Sequence, residues 1–403
     1  MRRVTPAGPS LPTLMLALLA AHLAGMGAFL TVPVLAPAIA AETGLPASLA
    51  GLHTALVYAG ALVSGPLTGP LIRRHGGVRV LQYGLVLIGC GIALAALGSP
   101  YALALSAFVA GVGHGPVTPG SSHLIAARTP PRRRALVFSL KQAGVPAGAM
   151  LVAAAAPAIA LVGGWRAGVL AMALTAFVVA ALIQPLRAPL DAGRDPRAGG
   201  AGPRALAREA AGSLGLLRSD PVLRRLTVMA CGYGVAQFCF LTFFVTFQVA
   251  ALGTPLAEAG LRLALAQAAG IFGRIAWALI ADRAGARPPL LACGVGAAAA
   301  GLVLAASGPG WPAVVVVVAG MVMGATAVGW NGVMLAEAAR IAPPGQVGGA
   351  TSALSFAFGV TMLVAPPAFT GLVALTGGYA AGFLMTVLAV GLGAWAIGTS
   401  PRR

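Results

Sequence analysis

From its start to about residue 400 the chain is a succession of twelve apolar segments, and the last six repeat the first six. The connections carry the repeat. Gly163-Gly164-Trp165-Arg166-Ala167-Gly168 returns as Gly377-Gly378-Tyr379-Ala380-Ala381-Gly382, 214 residues later. Pro130-Pro131 returns as Pro343-Pro344, 213 later, and Arg73-Arg74-His75-Gly76 as Asp282-Arg283-Ala284-Gly285, 209 later. A duplicated six-helix unit in a membrane is a device with two halves, and the cleft between such halves is a path for a solute.

Charge supports the membrane reading. Charged residues are 8% of the 403, and apolar ones 59%, against about 25% charge in a soluble domain. The net charge of +18 is not a nucleic-acid footprint, because 22 of the 26 basic residues fall in the termini and in alternate loops, at 72–79, 126–134, 187–225, 282–287 and 340. The intervening loops, around 42, 98, 162, 253, 309 and 375, are short and nearly uncharged. This positive-inside asymmetry places both termini and the long middle loop in the cytoplasm, as expected of a multi-pass protein of a bacterial inner membrane. Met1-Arg2-Arg3 imitates a signal peptide, but the run from Leu14 to about Ala36 is too long for an h-region and reads as an uncleaved first span.

The spacing predicts spans at about 13–36, 47–71, 79–98, 101–125, 136–160, 165–186, 224–250, 257–281, 288–307, 312–338, 347–373 and 379–398. They group into an N-terminal bundle, 1–186, a cytoplasmic loop, 187–223, and a C-terminal bundle, 224–403. Within the loop, Ala205 to Leu217 is either a short amphipathic helix on the inner leaflet or a solvated linker. Gly111 to Gly120 is dense in glycine and proline, which suits close helix packing or a wet cavity. Cys90, Cys231, Cys239 and Cys293 lie in apolar stretches without metal-ligand spacing, so neither metal nor other cofactor is expected.

The segment Ala278-Leu279-Ile280-Ala281-Asp282-Arg283-Ala284-Gly285-Ala286-Arg287 resembles the G-x-L-A-D-R-x-G-x-R signature between helices 8 and 9 of the major facilitator superfamily. Its first-half counterpart departs from the pattern, with Arg73 where the family's aspartate is expected. The resemblance implies an all-α membrane fold of twelve helices in two pseudo-symmetric six-helix bundles, a central cavity and alternating access. It further implies an inner gate in which Asp282, Arg283 and Arg287 meet neighbouring helix ends, with Glu337 and Arg340 in the same charged layer and Arg73 and Arg74 contributing less from the first half. Helix five has only part of the drug-antiporter signature, Gly144-Val145-Pro146-Ala147-Gly148.

Polar residues inside the spans carry the functional reading. Lys141 is the one lysine beside 25 arginines and lies about two turns inside helix five. A cation at a helix centre costs about 2.5–3.5 kcal/mol on insertion scales. At its shallower depth Lys141 either serves a site or snorkels to the inner surface. Arg274 lies eight residues before Asp282, about 12 Å along a helix, near the midplane. Its first-half equivalent is Gly65, so the repeat itself does not require the charge. In the resembled superfamily an arginine at this position occurs in several organic-anion carriers, including those similar to monocarboxylate transporters, although the helix-one signature of the latter is not evident here. Tyr233, Gln237, Phe240, Phe244 and Gln248 share one face of helix seven. His22, His114 and Asn331 lie within spans and either bind solute or join helices; His53 and His123 sit near span ends. All eight carboxylates, Glu42, Asp191, Asp195, Glu209, Asp220, Glu258, Asp282 and Glu337, lie away from the midplane.

Two embedded cations without a midplane carboxylate predict a secondary transporter for a small organic anion, in the first instance a carboxylate. In the resembled fold helices five and eight face each other, so Arg274 and Lys141 are the expected ligands. Gln142, His114, Gln237 and Asn331 orient the remainder, and Phe240 and Phe244 meet its apolar part. A proton is the candidate coupling ion, the bilayer the surrounding partner, and the monomer the expected state. The alternative is efflux of amphipathic, drug-like compounds. Enzyme motifs such as H-E-x-x-H, G-x-S-x-G and a Walker loop are missing, and a sensor is expected to carry an appended soluble domain.

Overall fold

A computed structural model describes residues 9–129, 137, 140–197, 215, 217–342 and 347–400. The landmarks Pro130-Pro131 and Pro343-Pro344 lie outside the described residues, as does the segment from Ala205 to Leu217 apart from Gly215 and Leu217. The protein is an all-α membrane protein. In hydrocarbon every backbone N–H and C=O must find an internal partner, and a helix does this within one segment.

The main helices are α1 (Leu11–Thr43), α2 (Ala50–Ser64), α3 (Thr68–His75), α4 (Gly77–Ala95), α5 (Pro100–His114), α6 (Val117–Arg128) and α7 (Gly144–Leu182). After the central segment come α8 (Pro221–Leu252), α9 (Leu256–Ala284), α10 (Arg287–Ala306), α11 (Ala313–Met323), α12 (Asn331–Ile341), α13 (Val347–Thr376) and α14 (Ala380–Gly398). Two starts follow from a polar residue before proline. Ser99 Oγ accepts the Ala102 N–H at 3.2 Å, and Asp220 Oδ1 those of Val222 and Leu223 at 2.9 and 3.2 Å, with Pro100 and Pro221 opening their helices.

Among the described residues ten helical stretches are long and apolar enough to cross a bilayer. The difference from twelve has a local cause. The expected fourth span is interrupted between α5 and α6, and the expected fifth and sixth run on as one stretch, Leu140–Leu190, through a break at Gly164 (φ 75°, ψ 168°). Large apolar side chains line the outer surfaces, such as Leu388, Leu392 and Trp395 along one face of α14 and Phe272, Ile275 and Leu279 along α9. These are faces for lipid rather than water.

The duplication is visible in the backbone. Among the described residues all eight positive-φ positions are glycines, and they pair as Gly44/Gly253, Gly76/Gly285, Gly98/Gly310 and Gly164/Gly377. The separations are 209, 209, 212 and 213 residues, matching the offsets of the sequence landmarks.

The chain forms two compact units. One joins Met1–Val32 with Leu56–Gly202, and the other joins Pro33–Ala55 with Pro203–Arg403. In the second unit the segment around the start of α2 is tied to α8 and α13. Thr54 and Thr242 share a hydroxyl hydrogen bond of 3.0 Å, and Thr370 Oγ1 donates to the Ser48 carbonyl at 2.6 Å. Gly51 sits there against Pro366, Thr370 and Phe243, where an added Cβ would overlap backbone.

Candidate functional site

In the first unit the polar residues converge where α1, α5, α6 and the start of α7 meet. Lys141 is turned inward at 1% exposure instead of snorkelling. Its Nζ donates to Ser121 Oγ at 3.3 Å and Ser122 Oγ at 3.0 Å, both on α6. Gln142 beside it is half-buried. His114 ends α5, where Gly115-Pro116 interrupts the span. Its Nδ1 lies 3.1 Å from the Gly25 carbonyl, and its ring meets Phe29 edge-on at 4.5 Å. Small residues bring the helices this close. A Cβ on Gly144 would lie 3.0 Å from the His22 Cβ, and one on Gly148 would press the backbone of Leu23.

In the second unit the organising feature is a π-helical turn, Gly324–Val328, between α11 and α12. A π turn displaces carbonyls from the ordinary ladder, and such turns recur at functional sites. Here side chains take up those carbonyls. Arg274 Nε donates to Val328 O at 3.2 Å, Trp277 Nε1 to Ala325 O at 2.8 Å, and Trp330 Nε1 to Ala327 O at 2.8 Å. Asn331 Nδ2 donates to Val328 O at 3.4 Å and to Gln237 Oε1 at 3.1 Å, which joins α12 to α8. Arg274, Asn331 and Gln237 thus belong to one polar group. Arg274 and Asn331 are half-buried and Gln237 is buried.

The rest of the helix-seven face is packed. Phe240 and Phe244 are buried with ring centroids 4.6 Å apart, and Phe244 sits beneath Gly320. Tyr233 donates its hydroxyl to the Leu290 carbonyl at 2.8 Å. Gln248 belongs to a cluster at the α8–α9 turn, where it accepts from Arg262 at 3.3 Å, and Arg262 pairs with Glu258 at 2.5 Å.

The expected inner-gate residues fall into separate groups. Arg287, Glu337 and Arg340 line a crevice of about 500 Å³ in the second unit, together with Gly285, Pro288 and Ser400. Arg340 forks onto Glu337 at 2.6 and 2.7 Å, and Arg287 reaches the Ser400 carbonyl at 3.4 Å. Asp282 and Arg283 are exposed, and neither makes a side-chain hydrogen bond or ion pair among the described residues. Arg73 and Arg74 are also exposed. The carboxylate at the first-half turn is instead Asp191, at 1% exposure, which accepts the N–H groups of Val78 and Arg79 at 3.0 Å each.

Three residues here escaped sequence reasoning. Asp191 falls in the stretch 187–223 read as a loop, and its partners, 112 and 113 residues away, leave no local signal. Arg262 carried a signal in Glu258 four residues before it, the favourable order for a helical pair. Gln267, two turns before Arg274 on α9, is completely buried, and among the described residues neither of its amide atoms has a hydrogen-bond partner; nothing in its sequence context marks it. Among the described residues no three metal-ligating side chains converge.

The family model described as the Major Facilitator Superfamily matches residues 17–340. No curated protein matches the chain significantly. Among solved structures it is similar to a bacterial homolog of the human lysosomal transporter Spinster, in an inward-facing and occupied conformation, at 16% identity and a TM-score of 0.72, covering 97% of this chain and 96% of that one. It is also similar to a POT family transporter in complex with 5-aminolevulinic acid, at 12% identity and a TM-score of 0.78, covering 96% of each chain. A third is the peptide transporter POT in complex with sulfate, at 18% identity and a TM-score of 0.72, covering 97% of this chain and 94% of that one.

Proposed function

The chain belongs to the major facilitator superfamily of alternating-access membrane transporters, and from that premise we propose that its cargo is a small organic anion, in the first instance a carboxylate. One observation carries the reading: each unit holds a cation within its helices, with neutral groups among its hydrogen-bond partners. Lys141 donates to two serine hydroxyls, and Arg274 to a carbonyl of the π turn. The chain's carboxylates lie in loops and toward helix ends. A positive interior selects negative solutes. Tying Nε to Val328 O orients the guanidinium plane, and that planar fork matches a carboxylate in a way an ammonium does not.

A thermal-shift screen of the purified protein against carboxylates, sugars, amines and phosphates tests this. Carboxylates should raise the apparent Tm by binding the folded state, and Arg274→Lys should weaken their transport about tenfold or more despite keeping the charge, equivalent to about 1.4 kcal/mol. Lys141→Ala should weaken binding more than it lowers expression. Near-normal carboxylate transport by Arg274→Ala would reject the anion reading in favour of efflux of amphipathic compounds.

A further inference from the structure

We propose that His22 is a proton-binding residue of this transporter, and that a proton on His22 and an anion on Lys141 bind as a pair. This rests on the anion reading above.

His22 lies in the middle of α1 at 3% exposure. Its Nδ1 is 2.9 Å from the Leu18 carbonyl. A carbonyl only accepts, so in the neutral ring Nδ1 carries the hydrogen and Nε2 holds the lone pair. Nε2 is buried and has no hydrogen-bond partner among the described residues. Buried acceptors left unmet are uncommon because each costs free energy. A proton on Nε2 turns that orphaned acceptor into a donor.

The surroundings set what must accompany the proton. Gly144 brings the start of α7 against the Cβ of His22, and Lys141 lies three residues before it. Among the described residues the charged and titratable groups that act on the ring are Lys141, just before α7, and His114 from α5. His114 is itself engaged with Gly25 on α1. Both neighbours are neutral or positive in every protonation state. An imidazolium beside the Lys141 ammonium is therefore repelled. An anion on Lys141 removes that repulsion, and by linkage the proton strengthens anion binding by the same factor. One monocarboxylate and one proton together cross the membrane with no net charge. The histidine thus fills the proton-carrying place for which this chain has no midplane carboxylate.

The test measures proton uptake by the purified full chain in micelles, using a pH indicator in weak buffer at neutral pH. The probe is an equimolar mixture of lactate, benzoate and succinate at the same pH. Wild type should take up a substantial fraction of one proton per chain. His22→Gln should take up at least fivefold less while the mixture still raises its Tm, and the exposed His123, changed to Gln, should leave most of the uptake in place. Wild-type uptake by a His22→Gln chain that still binds overturns the proposal. If the mixture raises the Tm of neither chain, the anion reading falls and this linkage with it. A second measurement covers a His22→Gln chain that does not fold. In a chain whose other four histidines are Gln, the ¹⁵N ring signal of His22 should change from the neutral to the protonated pattern on adding the mixture. An unchanged signal in a chain that the mixture stabilises rejects the idea.

Discussion

The two halves interrupt the same span by different means. In the first, α5 gives way to α6 at Gly115-Pro116; in the second, α11 gives way to α12 through Gly324–Val328. Gly324 lies 209 residues beyond Gly115, the offset of the repeat. The first break is written locally, because proline has no N–H to give the preceding turn. The second contains no proline. It coincides with close backbone packing instead: a Cβ on Gly324 would overlap the Ala266 carbonyl, and one on Gly273 the Ala325 carbonyl. Local chemistry thus accounts for one irregularity and tertiary packing for its counterpart. The second form displaces carbonyls next to α9, where Arg274 and Trp277 take them up.

The strongest challenge to this contrast is a pair of glycine substitutions. Gly324→Ala drives a methyl into the backbone of α9 and should cost about 3 kcal/mol or more. Gly115→Ala meets chiefly the Ser64 hydroxyl, which can rotate, with the Ala61 carbonyl at 2.9 Å, and should cost about 1 kcal/mol. Reversible unfolding in mixed micelles compares them, and equal costs would mean that packing does not shape the π turn. A smaller effect is expected of Trp277→Phe. It leaves the Ala325 carbonyl unmet and should destabilise by about 1–2 kcal/mol; a change within error would show that this carbonyl is served otherwise. The least effect belongs to Ser122→Ala, which removes the 3.0 Å partner of Lys141 and leaves Ser121 at 3.3 Å. A loss of about 1 kcal/mol is expected in the same assay, with Lys141 still inaccessible to amine reagents. Rapid labelling there would show that two serines are needed to hold the ammonium inside.

The turns at Gly76 and Gly285 repeat the lesson. Gly76 and Gly285 adopt nearly the same conformation, φ 92° and 79° with ψ 157° and 169°, a region that L side chains rarely enter. The backbone was duplicated faithfully while the charges were not. Asp282 is exposed beside Gly285, whereas the acid at Gly76 comes from Asp191, against whose carboxyl carbon a Cβ on Gly76 would collide. The departure at Arg73 was legible in the sequence; its replacement by Asp191 was not, because a contact 113 residues away leaves no local pattern. Lys141 was open in the same way. Its stem is long enough to reach a membrane surface, and the two serines that turn it inward lie on another helix.

The sequence by itself determined the membrane class, the all-α fold and the places where the backbone turns. Hydrocarbon demands long apolar helices, and positive φ demands glycine, so both constraints are written in residue type alone. It also determined the sign of the embedded charges. Only the tertiary structure decided what each charge touches. Lys141 is held by α6, Arg274 by a carbonyl 54 residues on, and the His22 lone pair by nothing among the described residues. Those outcomes depend on how closely neighbouring helices approach, and that distance is set by small residues on both partners at once.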